Sequence, residues 1–558
     1  MLNKLTTAVG GAGTSVKVLG SAGVIRPYSP VVLARLARTL KQWGTGPAGG
    51  FAALAVRDPD HVGLSDERGE LTFAQMHARS NALARGLRDL GVKEGDAVAL
   101  MCRNHRGFVD ASIAANKLGA DILYLNTAFA GPQLLEVLER DAPGVLIHDE
   151  EFTDLVSGAK VSTTLLGWTD DADADEVGGV TTIESLIRGQ DGSDVDAPTR
   201  HGRTVILTSG TTGTPKGAPR TEAGIDAAVS LLSGMPLKRG WRTHIAAPLF
   251  HTWGFGHFAL GMLLGSTMVL RRKFDPETCL RTLVEEDCRA VVVIPVMLQR
   301  ILGLPEDVQQ SYDLSRVRVV ASSGSALPGD LALTWMDRFG DNLYSTYGST
   351  EVAYACIAGP RELRRSPSTA GKPPYATVVK VLGEDGTEQP AGESGRIFVG
   401  NSLLFEGYTG GGSKDVVDGL MATGDVGRWG EDGLLYVEGR DDDMIVSGGE
   451  NVFPQEVEDC LARHDAVVEA AAIGVDDDEF GKRLRAFVVL SDDSTSEDDL
   501  KGWVKENLAR YKVPREIVVL DELPRNATGK VLKRELRERD EPDDATGSDA
   551  DDSGGSGG

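Results

Sequence analysis

Cysteine is scarce and unpaired in this sequence. Its five copies, Cys102, Cys279, Cys288, Cys356 and Cys460, form no C-x-x-C pair and no metal-ligand spacing. That argues against a disulfide framework or a structural zinc and fits a reducing, cytoplasmic setting. No secretory leader is expected, since the N-terminus shows no compact apolar core with a convincing cleavage site. Acid is absent from residues 1–57, which hold seven bases (Lys4, Lys17, Arg26, Arg35, Arg38, Lys41, Arg57), and base is absent from residues 540–558, which hold seven acids. The two ends cancel, so the formal net charge of −25 belongs to the middle of the chain. An acidic body repels phosphate backbones and argues against nucleic acid as a partner. Charge of either sign is absent from Ile245–Leu270, a run of 26 residues. Its length would let it cross a membrane, but Pro248, His251, His257 and four glycines interrupt it and no second span accompanies it. It reads as a buried element lining a pocket.

The 558 residues that are present exceed what one hydrophobic core supports, so two or more domains are expected. Ser29–Trp43 reads as a basic amphipathic helix: Ser29 caps it, Pro30 suits its first turn, and Val32, Leu33, Leu36 and Leu40 form an apolar stripe. Arg35, Arg38 and Lys41 share another face. Two readings stand, attachment to an anionic membrane surface or docking on the acidic body. From residue 70 helices and strands alternate. Thr72 and Gln75 make a capping box before a helix ending near Gly91, followed by an apolar run at Ala97–Met101. A helix around Phe108–Leu118 leads to Ile122–Leu125, and a shorter one to Val145–His148. This βαβ alternation predicts parallel sheets covered by helices, an α/β fold. Asp170–Pro198 is expected to be a surface excursion. After Gly439 the pattern becomes a compact unit of about a hundred residues, the size of a small domain. Helices are expected at Pro454–Arg463, around Leu500–Leu508 and after Gly529, and strands near Val467–Val475, Leu484–Leu490 and Ile517–Leu520. The expected organisation is a basic extension at 1–50, a large domain at 51–439, a small domain at 440–538, and an acidic tail at 539–558 too poor in apolar residues to order itself.

The densest chemical signal is Thr208-Ser209-Gly210-Thr211-Thr212-Gly213-Thr214-Pro215-Lys216-Gly217, directly after the strand-like run Thr204–Leu207. Glycines allow a tight turn and hydroxyls add donors, so the loop can wrap a polyphosphate. It is not a Walker A loop, because Lys216 is followed by Gly217 rather than Ser or Thr. Taken alone it could be a flexible linker. Downstream come Tyr347-Gly348-Ser349-Thr350-Glu351, then Thr423-Gly424-Asp425, then Gly439-Arg440-Asp441-Asp442-Asp443, then Ser447-Gly448-Gly449-Glu450-Asn451, and finally Pro524-Arg525-Asn526-Ala527-Thr528-Gly529-Lys530. An aromatic face can stack on adenine, and a carboxylate can hold Mg²⁺ through its oxygens.

In this order and spacing the set resembles the adenylate-forming superfamily, which includes acyl-CoA synthetases, firefly-luciferase-like enzymes and the adenylation domains of peptide synthetases. The resemblance runs from about residue 50 to about residue 538. It implies a large N-terminal domain of layered sheets and helices, a small mobile C-terminal domain, and an active site between them that uses ATP, Mg²⁺ and coenzyme A. By the same resemblance Thr208–Lys216 form the phosphate loop and Gly324 borders the acyl pocket. Tyr347 packs on adenine beside Gly348, Thr350 binds phosphate, and Glu351 meets the metal. Asp425 holds the ribose and Arg440 contacts the nucleotide. Asp442 is the pivot of the small domain, uncertain by one residue because Asp441 and Asp443 flank it. Gly448 and Gly449 lie on the CoA side, and Lys530 reaches in during adenylation.

Pro248-Leu249-Phe250-His251-Thr252-Trp253-Gly254-Phe255 resembles the superfamily's acyl-pocket motif. His251 gates the site or orients the carboxylate, or else is a satisfied core histidine. The missing acid between Ile245 and Leu270 disfavours an amino acid, whose ammonium needs a counter-charge. A medium- or long-chain fatty acid is favoured, with an aryl acid as alternative. No carrier sequence is fused to the chain. Coenzyme A is therefore the expected acceptor, with a separate carrier protein as its rival, and a noncatalytic nucleotide-binding scaffold is the rival of another class.

Overall fold

A computed structural model describes residues 13–129, 131–207, 217–220, 225–405, 407, 413–441, 445–447, 450–477, 481–492, 495–508, 512–526 and 529–538. The chain divides into two compact units. The first comprises Met1–Asp442 with Ala527–Lys530, the second Asp443–Asn526 with the remainder.

Among the described residues the first unit is built on three principal sheets. In the eight-stranded sheet, Leu343–Tyr347, Val319–Ser322, Ala290–Val293, Arg242–Ile245, Thr267–Val269 and Val62–Asp66 run parallel in that spatial order. An antiparallel strand closes each edge, Cys356–Ala358 on one side and Gly69–Thr72 on the other. The six-stranded sheet follows the order Gly217–Arg220, Thr204–Leu207, Asp121–Tyr124, Ala97–Met101, Val145–Asp149, Thr163–Trp168 and is parallel except for its first pair. Most of these strands are short runs of Val, Ile, Leu and Ala buried on both faces, as covered parallel sheets require. The third sheet, formed by Val378–Leu382, Gly395–Gly400, Val416–Val417, Leu420–Trp429 and Leu435–Arg440, is wholly antiparallel.

Local signals set the helix boundaries. Ser29 accepts from the Val32 amide and opens Pro30–Trp43, where Val32 and Leu36 are half-buried while Leu33 and Leu40 stay exposed. Thr72 and Gln75 close the expected capping box, through bonds of 3.2 and 2.8 Å, at the head of Phe73–Asp89. The next helix, Arg106–Lys117, is capped by His105, whose Nδ1 accepts from the Gly107 amide while Nε2 meets buried Asp149 at 2.8 Å. Arg106 grips buried Asp66 from three directions, and Lys117, although buried, has Ser80 at 2.8 Å and Asn81 at 2.5 Å. Residues 170–198 run over the surface as expected, with nearly all side chains exposed or half-buried. The segment is pinned where Ile183, in the helix Ile183–Arg188, and Val195 are buried, and Arg85 donates to the carbonyls of Asp191, Ser193 and Asp194. The uncharged run Ile245–Leu270 resolves into a loop, the 13-residue helix Thr252–Leu264 ended by left-handed Gly265, and the strand Thr267–Val269. Among the described residues no helix is long and apolar enough to cross a membrane.

The second unit is a five-stranded sheet, Glu450–Val452, Ile445–Ser447, Gly481–Leu490 and Val467–Asp477 with Glu516–Val519 parallel to Gly481–Leu490. Pro454–Leu461 and Glu497–Asn507 share its apolar core. Each expected element from residue 454 onward is present, with ends shifted by a few residues.

Candidate active site

Four adjacent parallel strands of the large sheet end on the same side. Leu343–Tyr347 delivers Tyr347-Gly348-Ser349-Thr350-Glu351, Val319–Ser322 delivers Ser323 and Gly324, Ala290–Val293 delivers Ile294, and Arg242–Ile245 delivers the loop to His251. Ligands of open α/β sheets bind at such carboxyl ends. The topology thus gathers motifs that lie a hundred residues apart in the chain.

The Tyr347 loop is held tightly. Asn401 donates to the carbonyls of Val352 and Tyr354 at 2.8 and 2.7 Å, and the Glu351 carbonyl accepts from the Phe405 amide at 2.8 Å. A side chain at Gly348 would put its Cβ 2.4 Å from the Ala353 carbonyl oxygen, so only glycine fits there. Thr350 and Glu351 are half-buried. Gly324 is exposed with φ +99°, a left-handed conformation that glycine adopts without strain. Ser323 ties the two strand ends together through the Thr346 carbonyl at 2.7 Å.

Tyr347 reaches the antiparallel sheet. Its hydroxyl donates to Oδ2 of Asp425 at 2.6 Å and lies 3.3 Å from the Thr423 hydroxyl. Oδ1 of Asp425 faces Nη1 of Arg440 at 3.4 Å, directly across the ladder that pairs the two residues. Gly424, at φ +85°, lets the Arg440 guanidinium lie against its backbone. Burial raises the Asp425 carboxyl above its ordinary range, while the Tyr347 hydroxyl, Arg440 and Lys530 pull it back. Burial and the neighbouring carboxylate push the Tyr347 phenol well up, so it stays a donor. The charge of Lys530 therefore falls on Asp425, within the same unit. Lys530 is itself exposed, and Gly529 before it lies against Val296 with φ +77°.

At the head of Thr252–Leu264, His251 has an extended backbone and an Nε2 atom that is buried without a partner among the described residues. Burial pushes its pKa down to about 4, so the ring is neutral near pH 7. Asn104 fixes the preceding loop, donating to the carbonyls of Ile245 and Ala247 at 3.0 and 2.9 Å and accepting from the Leu249 amide at 2.9 Å. Trp253 anchors its indole on the Val293 carbonyl at 3.0 Å. Thr252 Oγ1, Ser322 Oγ and Thr346 Oγ1, on the same strand ends and helix head, are likewise buried with no partner among the described residues. These are four of fifteen such atoms among the described residues, and they fall at the strand ends and helix head that carry the motifs.

Among the described residues one cluster has the spacing of a metal site, Cys102, His105 and Asp149, all buried with ligand atoms within 4.8 Å of one another. Its donors are engaged: His105 caps a helix and meets Asp149, Asp149 also accepts from the Arg103 amide, and Cys102 donates to the Ile147 carbonyl. Burial pushes the Cys102 thiol well up, away from the thiolate that a metal would want. It is a helix cap. Thr350 and Glu351 offer hard oxygens, the donor type Mg²⁺ takes.

The structure thus brings Gly324, Tyr347, Gly348, Thr350, Glu351, Asp425, Arg440, His251 and Lys530 into the first unit. Thr208, Ser209, Gly210, Thr211, Thr212, Gly213, Thr214 and Lys216 lie outside the described residues, as do Asp442, Gly448 and Gly449 and the acidic tail 539–558. The strands on either side of residues 208–216, Thr204–Leu207 and Gly217–Arg220, pair antiparallel. Sequence reasoning missed Asn104, which belongs to no glycine-rich or charged motif, and only the fold shows what it holds.

Comparison with known proteins agrees with this geometry. Residues 51–409 match the AMP-binding enzyme family and residues 456–530 the AMP-binding enzyme C-terminal domain. A feruloyl-CoA synthase of Amycolatopsis is 34% identical over 478 residues, 84% of this chain and 94% of that protein. A 2-succinylbenzoate–CoA ligase of Bacillus licheniformis is 33% identical over 483 residues, 86% of this chain and 97% of that protein. The crystal structure of an anthranilate CoA ligase in complex with anthranoyl-AMP superposes with a TM-score of 0.77 at 27% identity, covering 93% of this chain and 98% of that one. The chain belongs to the AMP-binding enzyme family, the adenylate-forming enzymes.

Proposed function

We propose that this protein is an AMP-forming acid–CoA ligase whose acid is an aromatic carboxylic acid. The observation that supports it most is the junction of Tyr347, Asp425 and Arg440 beside four unpartnered polar atoms at the carboxyl ends of the large sheet. Relatives at 33–34% identity are named for feruloyl and 2-succinylbenzoate acids and a solved structure at 27% for anthranilate, all aromatic, while another relative at 31% is named for an acyl–CoA ligase with no acid specified. A medium- or long-chain fatty acid is the second reading. It draws on the uncharged helix Thr252–Leu264, where Gly256 has open space at its missing side chain.

In this reading the acid's carboxylate attacks the α-phosphorus of ATP and pyrophosphate leaves. The thiol of coenzyme A then attacks the acyl carbonyl and AMP leaves. Charge builds on phosphate oxygens in the first step, so preorganised donors and cations matter most. Thr208–Lys216 wrap the phosphates, Thr350 donates to one, and Lys530 brings a positive charge. Tyr347 and Gly348 border the adenine. Asp425 keeps acceptor capacity for ribose hydroxyls, because a carboxylate has more lone pairs than Tyr347 and Arg440 occupy. Glu351 would hold Mg²⁺, which when bound neutralises phosphate charge. His251, uncharged and unpartnered at Nε2, orients the acid's carboxylate, and Gly324 leaves room for the acyl group. Residues 51–439 form the nucleotide-binding body and 440–538 the small domain. Asp442 is assigned as the pivot and falls where the first unit ends, and Gly448 and Gly449 serve the CoA step. The extension 1–50 touches anionic membrane through exposed Val31, Leu33 and Leu40 with Arg35, Arg38 and Lys41. Deleting it should abolish co-sedimentation with anionic vesicles.

ATP–pyrophosphate exchange with fatty, aryl and amino acids tests the activation step, and adding CoA or a carrier protein identifies the acceptor. Exchange with no acid, in a folded sample, would overturn the proposal.

A further inference from the structure

Apolar side chains left in solvent are unevenly spread over this protein. Of the twelve large ones exposed among the described residues, five (Val16, Ile25, Val31, Leu33 and Leu40) fall within residues 16–40. In the helix Pro30–Trp43, Leu33, Ala37 and Leu40 stand four and three apart on one exposed row, with Arg38 and Lys41 beside it. Val32, Leu36 and Trp43 carry the more buried side. Residues 1–57 hold seven bases and no acid in a chain whose net charge is −25. An anionic lipid surface therefore attracts this segment and repels the remainder. An exposed apolar row edged by bases is suited to lie in such a surface.

The two segments flanking this helix are both fixed to one element, the helix Thr252–Leu264. Before it, Leu19 and Ala22 are buried in one apolar cluster with Leu260 and Leu264. The carbonyls of Ser21 and Ala22 accept from Lys238 Nζ at 2.7 Å and from the Arg239 amide at 2.8 Å. After it, Pro47–Arg57 lies against the same helix, with the Phe51 ring 5.5 Å from that of Phe258. A Cβ at Gly50 would stand 2.9 Å from the Met262 sulfur. The joint between Pro30–Trp43 and Pro47–Arg57 is closer still, since a Cβ at Gly49 would stand 1.9 Å from the Gly44 carbonyl oxygen. The Ala48 amide donates to Asn116 Oδ1 at 2.9 Å, and Asn116 Nδ2 donates to the Gly202 carbonyl at 3.2 Å, just ahead of the strand Thr204–Leu207. Close packing transmits strain instead of absorbing it. A displacement or restraint of Pro30–Trp43 thus reaches Thr252–Leu264 through both flanks.

We propose that an anionic lipid surface regulates acid binding through this strap. Seating Leu33, Ala37 and Leu40 in lipid restrains Pro30–Trp43 and, through its flanks, the helix that His251 heads, so the acid binds more tightly at the membrane than in solution. This rests on the membrane contact and the ligase activity proposed above and gives that contact a consequence for turnover. Order imposed by one ligand need not be imposed again by the next. Such coupling is reciprocal, so bound acid strengthens the lipid contact in turn.

The test is ATP–pyrophosphate exchange by the full chain with the most active water-soluble acid, so that partition of the acid into lipid plays no part. Vesicles of mixed phosphatidylcholine and phosphatidylglycerol should lower the KM for the acid about fivefold or more, the lower end of what coupled sites show. Phosphatidylcholine vesicles and heparin, a soluble polyanion, should not. Saturating acid should in turn increase co-sedimentation with the mixed vesicles, a readout that needs no variant. Leu33→Asp with Leu40→Asp should lose both effects, each judged against the variant's own value without vesicles. Phe51→Leu should still co-sediment while its KM responds less. Vesicles that bind the protein without moving KM overturn the coupling and leave the membrane contact standing. Failure to co-sediment removes both. An equal KM response to phosphatidylcholine or heparin overturns the assignment to anionic lipid. Absence of exchange with every acid removes the ligase reading and this proposal with it.

Discussion

The hydroxyl of Tyr347 donates to Oδ2 of Asp425 across 2.6 Å, and this bond joins the end of the parallel sheet to the antiparallel one. Because Oδ1 faces Arg440, the carboxylate is oriented before any nucleotide arrives. Both partners favour its charged form against the burial that opposes it.

Tyr347→Phe should therefore weaken ATP binding. A hydrogen bond to a charged group contributes about 1.5–3 kcal/mol, so the KM for ATP should rise roughly ten- to hundredfold. The Asp425 carboxyl loses one of the groups that hold it down, so its pKa goes further up. Since the proposed ribose contact uses the ionised form, the acid limb of the pH profile should move to higher pH. A profile that shifts the other way, or an unchanged KM, would detach Asp425 from the nucleotide.

Lys530→Ala should slow adenylation about 10²-fold, the effect of losing one preorganised donor to a developing charge. Thioester formation from pre-made acyl-AMP and CoA should suffer far less. Equal losses in the two half-reactions, measured separately, would remove Lys530 from the first step.

Acid should destabilise the fold through buried histidines. His244, His251 and His257 are each held down to about 4 by burial, against an ordinary value of 6.5. Below pH 6.5 the unfolded chain binds protons that the native rings refuse. Stability is therefore full above pH 6.5 and is lost as pH falls towards 4, by at most on the order of 3 kcal/mol for each ring. Urea midpoints taken from pH 7.5 to 4.5 should show this. His244→Gln should reduce the slope by about one proton, and an unaltered slope would contradict it.

Asp66→Ala strips the buried Arg106 of its carboxylate. An unpaired buried charge costs about 3–5 kcal/mol, visible as a lower urea midpoint at unchanged m. Replacing both with apolar residues should recover most of it.

The sequence showed the alternation of strands and helices because period and caps are local. Thr72 with Gln75 closes as its spacing demands, and Ala97–Met101 is the buried strand its apolar run implies. The residues proposed for the nucleotide, Tyr347, Asp425 and Lys530, stand beside glycines in short motifs whose order a resemblance can read. What stayed hidden depends on distance. Asn104 is one ordinary asparagine, and its three bonds go to residues about 140 positions away. Residues 170–198 lie at the surface as their composition implies, but which of them anchor the segment, Ile183 and Val195, was not legible.

Asn104 has one more consequence. It follows a strand of the six-stranded sheet and clamps the loop leaving a strand of the eight-stranded one. A slip of either layer over the other would thus reach the backbone just before His251. Substitutions deep in the packing between layers, far from any substrate, can retune which acids are accepted, and a search for altered selectivity that confines itself to pocket walls would overlook them.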